Sequence, residues 1–276
     1  SFKQKFFLKG LFLFKIFKAK KIITMNPRNP EGQYMSVLDG KIVQVGDLNT
    51  IKPKGNYELD KSFENYVLMP GLVEGHSHLF EGALWSKLYC GYFDRQKPDG
   101  TMSLGIKNVK ELVQKLKLEN ETLLDPNAPL AGWGLDPIYF EDKALDRKIL
   151  DVVSDQRPIG ILHASGHKLN INSVGLKLAG FLRTGINHEG LPLGEDGLPS
   201  GEIRGAETIA LVTRHVGLGK DWLSGDAEGL RNFGKICARA GVTTAADLAN
   251  LQTDEAVEMM LKVTSEADFP ARIVSL

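Results

Sequence analysis

Short apolar runs alternate with segments of helical period from residue 66 to the end of the chain, and this alternation restricts the fold more than any other feature. The runs are YVLMPGLV (66–73), then 129–134, 159–163, 242–247 and 271–276. Each is strand-sized, and a near-continuous apolar run marks a strand buried on both faces of a sheet. Between them, residues 109–124, 146–154, 172–181, 205–218, 221–240 and 253–267 carry helical spacing. Strands alternating with helices predict a parallel α/β domain. A closed (β/α)8 barrel needs eight strands and about 250 residues. The five strands over 65–276 therefore predict the first part of such a barrel, left incomplete. The Gly- and Pro-dense INHEGLPLGEDGLPSGEI reads as a loop without the ligand spacing of a calcium site.

Residues 19–64 have a different texture. AKKIITMNP, QYMSVLDGKIVQVGD and GNYELD are short strand-sized pieces, and Asp39-Gly40 is a strong hairpin signal. They predict a small antiparallel sheet. Residues 1–18 form a basic, aromatic extension: the first 21 residues hold seven lysines, six phenylalanines and no acid. Lys9 interrupts the apolar stretch and no small-residue cleavage site follows, which argues against a signal peptide. The stretch is too short and too charged to span a bilayer. A surface anchor of the amphipathic kind stays open beside the plainer reading of a variable extension.

The 34 basic and 34 acidic side chains leave no net charge, which removes the global electrostatic case for nucleic acid. Cys90 and Cys237 have neither metal nor redox spacing. They read as buried thiols in a reducing compartment, and so as a cytoplasmic location.

The sharpest local feature is VEGHSH, at the end of the first apolar run. Side chains alternate along a strand, so His76 and His78 face the same way, about 6.5–7 Å apart along the chain. Two neutral imidazoles at that spacing can converge on one transition-metal ion. Glu74 shares their face and could orient a ligand or touch the metal. An isolated His-x-His is more often two surface histidines. Here it follows a strand, at the end where barrels carry their chemistry.

MPGLVEGHSH resembles the first barrel strand of the amidohydrolase superfamily, whose signature is roughly P-G-[FL]-[IV]-D-x-H-x-H. Residues 132–180 resemble its YtcJ-like (amidohydrolase 3) branch, with the W-G-x-D-P pattern at Trp133–Pro137 and the S-G-H-x-x-x-x-N-S pattern at Ser165–Ser173. GVTTAADLAN resembles the next strand of that branch. The resemblance spans about residues 20 to 276 and implies a TIM-like metal-binding barrel with a small β-sandwich. It implies metal-dependent hydrolysis of C–N bonds in non-peptide amides of small-molecule substrates. The implied cofactor is one or two divalent ions, zinc first, with manganese or iron as alternatives. His76 and His78 would be metal ligands. His167, at the barrel mouth in HASGH, would face the substrate in a catalytic role. His163 lies in the same segment on the substrate side, Trp133 offers an apolar pocket wall with Trp85, and Asp247, which ends its strand at the catalytic face, is the second catalytic candidate.

The sequence also departs from the family. Glu74 stands where an aspartate is usual, and Gly205 where many relatives have a glutamate that Glu202 or Glu207 would have to replace. Lys168 does not fall on the strand expected of a carboxylated lysine. Asn172 reads as a helix cap, and His188 and His215 carry no pattern. Two further histidines and an aspartate from later strands have no counterpart here, so the chain resembles the N-terminal half of such a hydrolase and by itself is expected to be inactive. The alternatives are a truncated, inactive metal-binding or interaction module, and a membrane-surface protein using the Lys/Phe-rich start. Membrane contact is the weaker expectation, and homodimerisation stays open.

Overall fold

Basic and apolar residues interleave in FKIFKAKKII, which forms β1 (Phe14–Ile23), the first strand of the computed structural model. The structure describes residues 14–140, 145–219, 225–248 and 253–275, and these divide after Leu72 into two units. In the first unit β1 is followed by β2 (Glu31–Leu38), β3 (Lys41–Gly46), the short helix α1 (Leu48–Ile51) and β4 (Tyr57–Leu68). The sheet order is β3-β2-β1-β4. β2 is antiparallel to β1 and β4 parallel to it, so this sheet is mixed where an antiparallel one is expected. Asp39 and Gly40 turn β2 into β3 with φ of 51° and 72°, the left-handed pair that a two-residue type I′ hairpin requires.

Ile16, Ala19 and Ile22 are the buried residues of β1. A plain strand buries every second residue, and a spacing of three needs an interruption. Register shifts on both sides of Ala19 supply it. Three of the four lysines of β1 meet acids on its two neighbours: Lys15 with Asp60 at 3.0 Å, Lys18 with Glu64 at 3.3 Å and Lys21 with Glu31 at 2.5 Å. Exposed pairs of this kind contribute little to stability, but they neutralise part of the charge that suggests a membrane anchor. Phe14–Lys18, assigned above to the extension, thus belong to this sheet, and β4 carries it past residue 64 to Leu68. Residues 1–13 lie outside the described residues. No described helix is long and apolar enough to cross a membrane.

The second unit starts where the apolar run 66–73 breaks. Tyr66–Leu68 finish β4, Met69–Gly71 have no regular structure, and β5 (Leu72–Ser77) begins beyond Pro70, which has no N–H to donate to a ladder. The expectation of a strand buried on both faces is not met: Leu72 and Val73 are 51% and 73% exposed. Then come α2 (Phe80–Leu84), β6 (Leu88–Tyr89), the two-residue strands β7 (Arg95–Gln96) and β8 (Met102–Ser103), α3 (Val109–Thr122) and β9 (Leu130–Leu135). They are followed by α4 (Arg147–Asp151), β10 (Ile159–His163), β11 (Lys168–Ile171), α5 (Ser173–Leu178), β12 (Glu202–Arg204) and α6 (Ala206–Ala210). The unit closes with α7 (Ala227–Ala240), β13 (Val242–Asp247), α8 (Asp254–Thr264) and β14 (Arg272–Ser275).

Two sheets organise these elements, ordered β12-β11-β10-β9-β6 and β14-β13-β5. β6, β9 and β10 run parallel, as do β13 and β14. β11 and β12 are antiparallel additions, drawn from segments that the sequence presents as a mouth loop and a turn-rich excursion. The expected helix over 205–218 is only α6 and a 3-10 turn at Thr213–His215. The alternation of β9 and β10 builds a core on each side. Ile159, Ile161 and Leu130 pack with Leu112 and Leu116 of α3. Trp133 and Leu162 face the opposite way, with Leu169, Ile171 and Ile203. Strands covered on both faces read as continuous apolar runs, which is why these two are so visible in the sequence.

Asn172 is fully buried between β11 and α5. Its Oδ1 accepts from the backbone N–H of Ile159 at 3.0 Å and of Gly175 at 2.9 Å, and its Nδ2 donates to the carbonyls of Ser154 and Arg157 at 2.9 and 2.8 Å. It caps α5 and at the same time ties that helix to β10. Asn172→Ala removes the side-chain partner of all four backbone groups, most of them in the core. Denaturant melts are expected to show a loss of about 3 kcal/mol, well above the ~1 kcal/mol of an ordinary cap deletion.

Candidate functional site

His76 lies near the end of β5 and His78 just beyond it. Their ring centroids are 5.3 Å apart at an interplanar angle of 84°. His78 stacks on Phe80 at 5.2 Å, and its Nδ1 lies 3.1 Å from the carbonyl oxygen of Leu248. A carbonyl only accepts, so Nδ1 carries a proton, and in the neutral ring the lone pair is on Nε2. That is the arrangement of a metal-ligating histidine whose second nitrogen is held by the backbone. Around it, Ser77 Oγ donates to Ala246 O at 2.7 Å, the Leu248 N–H to Ser77 O at 3.2 Å, and the Leu79 N–H to Asp247 Oδ1 at 3.1 Å. The Glu74 carboxylate accepts from the His76 N–H at 3.0 Å.

The donor set fits part of a transition-metal shell: one imidazole with a fixed free nitrogen and a second beside it. Among the described residues no group of three or more His, Cys, Asp or Glu side chains completes such a shell.

Both histidines line a cavity of about 550 Å³ in the second unit, together with Trp133 and His163. Trp133 meets Trp85 edge to face at 5.0 Å and Tyr89 at 5.3 Å. Among the described residues the buried indole N–H groups of both tryptophans have no acceptor. The Arg95 guanidinium lies 5.6 Å from both indole rings and donates to Glu81 Oε1 at 2.6 Å. His163 is buried, and its Nε2 is 2.6 Å from Asn170 Oδ1, while Asn170 Nδ2 donates to Leu145 O. Because Asn170 thereby presents its oxygen, His163 donates from Nε2 and keeps Nδ1 as an acceptor. Burial holds its pKa below the ordinary value, against the opposing hydrogen bond to Asn170. Cys237 lines the wall, its thiol pushed up to about 11 by burial; Cys90 is buried elsewhere in the core and pushed to about 12 for the same reason. Both are free.

Of the residues singled out in the sequence, Glu74, His76, His78, Trp133 and His163 come together around this cavity. Asp247 and His167 are not among its lining residues. Asp247 is buried, with its carboxylate on the backbone just after His78. His167 is exposed, and its carbonyl accepts from the Gly205 N–H. Lys168 pairs with Glu202 at 3.5 Å. Arg95 and Glu81 belong to no motif, and the density of aromatic residues in LYCGYFDR was the available signal.

The family model described as the amidohydrolase family matches residues 64–276. The chain is 28% identical over 233 residues to Protein LONG AFTER FAR-RED 3 of Arabidopsis thaliana, covering 82% of this chain and 37% of that protein. It is 27% identical over 185 residues to the Putative amidohydrolase YtcJ of Bacillus subtilis (strain 168), covering 65% and 32%. Among solved structures it is similar to an uncharacterized metal-dependent hydrolase from Pyrococcus horikoshii OT3, with a TM-score of 0.59 and 14% identity over 95% of this chain and 48% of that one. A second, from Pyrococcus furiosus, has a TM-score of 0.57 and 15% identity, over 95% and 49%. Those two likenesses establish a shared mixed α/β fold. The chain spans about a third of the length of these curated relatives and about half of the solved hydrolases.

The buried, neutral His163 makes stability depend on pH. Its folded pKa lies below 6.5, so on acidification the unfolded chain takes up the proton first. The contribution of the neutral ring is complete above pH 6.5 and declines below it, towards the folded pKa. Urea melts at pH 7.5 and pH 5 are expected to show wild type losing more stability than His163→Gln over that interval.

Proposed function

The chain belongs to the amidohydrolase family, and from that premise we propose that its protein is a metal-dependent hydrolase of C–N bonds in small, non-peptide amides, with His76 and His78 as metal ligands. The observation that carries this is the pair of adjacent imidazoles, one of them fixed by Leu248 with Nε2 free, on the wall of a cavity. Its volume of about 550 Å³ suits a small molecule. A divalent metal, zinc first with manganese or iron as alternatives, would supply Lewis-acid polarisation of the amide carbonyl and a nucleophile at neutral pH. A complete shell takes further donors beside these two.

The chain's own residues have separable roles in this reading. Leu248 and Asp247 hold the histidine turn, which makes Asp247 a positioning residue. His163, neutral and locked by Asn170, offers Nδ1 as an acceptor for an N–H or O–H of the substrate. Trp133 excludes water from the apolar side of the cavity. In the overall reaction water adds to the amide carbon, the C–N bond breaks, and the proton lost by water leaves with the amine. His167, exposed, is assigned no step.

Replacing both ligands tests the assignment. In the full-length protein, His76→Ala with His78→Ala is expected to reduce bound metal, by elemental analysis, from near-stoichiometric to background, with an unchanged circular dichroism spectrum. Unchanged metal content in that variant would sink the assignment.

A further inference from the structure

Among the described residues Arg95 is the one Lys or Arg side chain on the cavity wall, and its position is prepared from two sides. Glu81 holds it by a single hydrogen bond to Nη2, and the Glu81 N–H in turn donates to the carbonyl of His78 at 3.1 Å. The guanidinium is therefore tied to the turn that carries the histidines. Its Cζ lies 5.6 Å from the ring centres of both Trp85 and Trp133. Among the described residues Nε and Nη1 have no acceptor. The other acids on the wall are engaged: Glu74 accepts from the His76 N–H and Asp136 from the Ile138 N–H. A guanidinium with donors to spare, beside two aromatic rings, is suited to a planar carboxylate.

The remainder of the wall is aromatic and accessible. Phe93 and Tyr139 are 55% and 47% exposed and meet each other at 5.1 Å. An aromatic body would cover that surface. We propose that Arg95 is the specificity-determining residue of the cavity, taking the carboxylate of substrates whose body is aromatic, with Glu81 as its positioning residue. This rests on the hydrolase reading for what happens to the bound molecule, whereas the binding preference is separable from it.

The test uses two near-isosteric probes, phenylacetate and the neutral ketone phenylacetone, which has no C–N bond to hydrolyse, titrated calorimetrically into the full chain as purified. Wild type is expected to bind phenylacetate about tenfold tighter than the ketone, the range of a charge-assisted bidentate pair. Arg95→Met is expected to bring the two to parity with an unchanged circular dichroism spectrum; should it not fold, Arg95→Gln is expected to do the same. Equal affinities in wild type, binding of neither probe, or a preference that survives loss of the guanidinium would each overturn the proposal. A surviving preference would point to the carboxylate resting on a metal. The His76→Ala, His78→Ala variant is expected to keep the preference. Loss of the metal assignment, read from metal content, is thereby distinguished from loss of the Arg95 assignment, read from the ratio of affinities.

Discussion

The histidine turn is held in place by the end of β13. Residues 246–248 receive the Ser77 hydroxyl, the His78 ring and the Leu79 N–H, and return the Leu248 N–H to the Ser77 carbonyl. β5 itself is exposed along most of its length, so its own burial does little to fix the two imidazoles. The partners are about 170 residues apart in sequence. Such contacts form only after the intervening chain has closed its loop, at an entropic cost that grows slowly with length. The site is thus a product of the tertiary fold, and the local His-Ser-His spacing provides only the common direction of the two rings.

The cavity wall depends on a second constraint, the double covering of β9 and β10. One set of alternating side chains packs on α3, which leaves Trp133 and Leu162 for the other face and for the cavity. On the α2 side the close approach of two helices matters. A Cβ on Gly82 would stand 1.9 Å from the carbonyl oxygen of Gly229 in α7. Only glycine allows α2 and α7 to cross that closely. This contact places Glu81 of α2 and Phe233 and Cys237 of α7 around one cavity.

Much of this was legible because burial leaves a pattern. β10 and β13 have the bounds expected from their apolar runs, and the left-handed Asp39-Gly40 turn follows from its two residue types. Asn172 caps its helix as its residue type suggests. The misreadings have physical causes too. The run 66–73 is apolar throughout, but it is divided between two strands by Pro70, and hydrophobicity alone carries no mark of that break. β11 and β12 are four and three residues long, with exposed Lys168 and Arg204. Strands so short owe their conformation to the neighbour they pair with, and period-two alternation barely registers in them. The lysines of β1 look like a basic surface until the acids of β2 and β4 are placed opposite. Arg95 was invisible for a related reason, since its partner Glu81 precedes it by fourteen residues across a turn.

The two best-held histidines of the cavity illustrate one device put to two uses. In each, a fixed acceptor on one ring nitrogen determines the tautomer, and the lone pair is left on the other. For His78 the acceptor is the Leu248 carbonyl and the free nitrogen is Nε2. For His163 it is Asn170, itself oriented by the Leu145 carbonyl, and the free nitrogen is Nδ1. Neither ring has to reorient to act as an acceptor, so the ordering cost is met on folding and not on binding. Burial then separates the roles. His163 sits in the core wall, where charging it is disfavoured, and it remains a neutral hydrogen-bond acceptor. His78 is half-buried beside the exposed His76, outside that apolar wall.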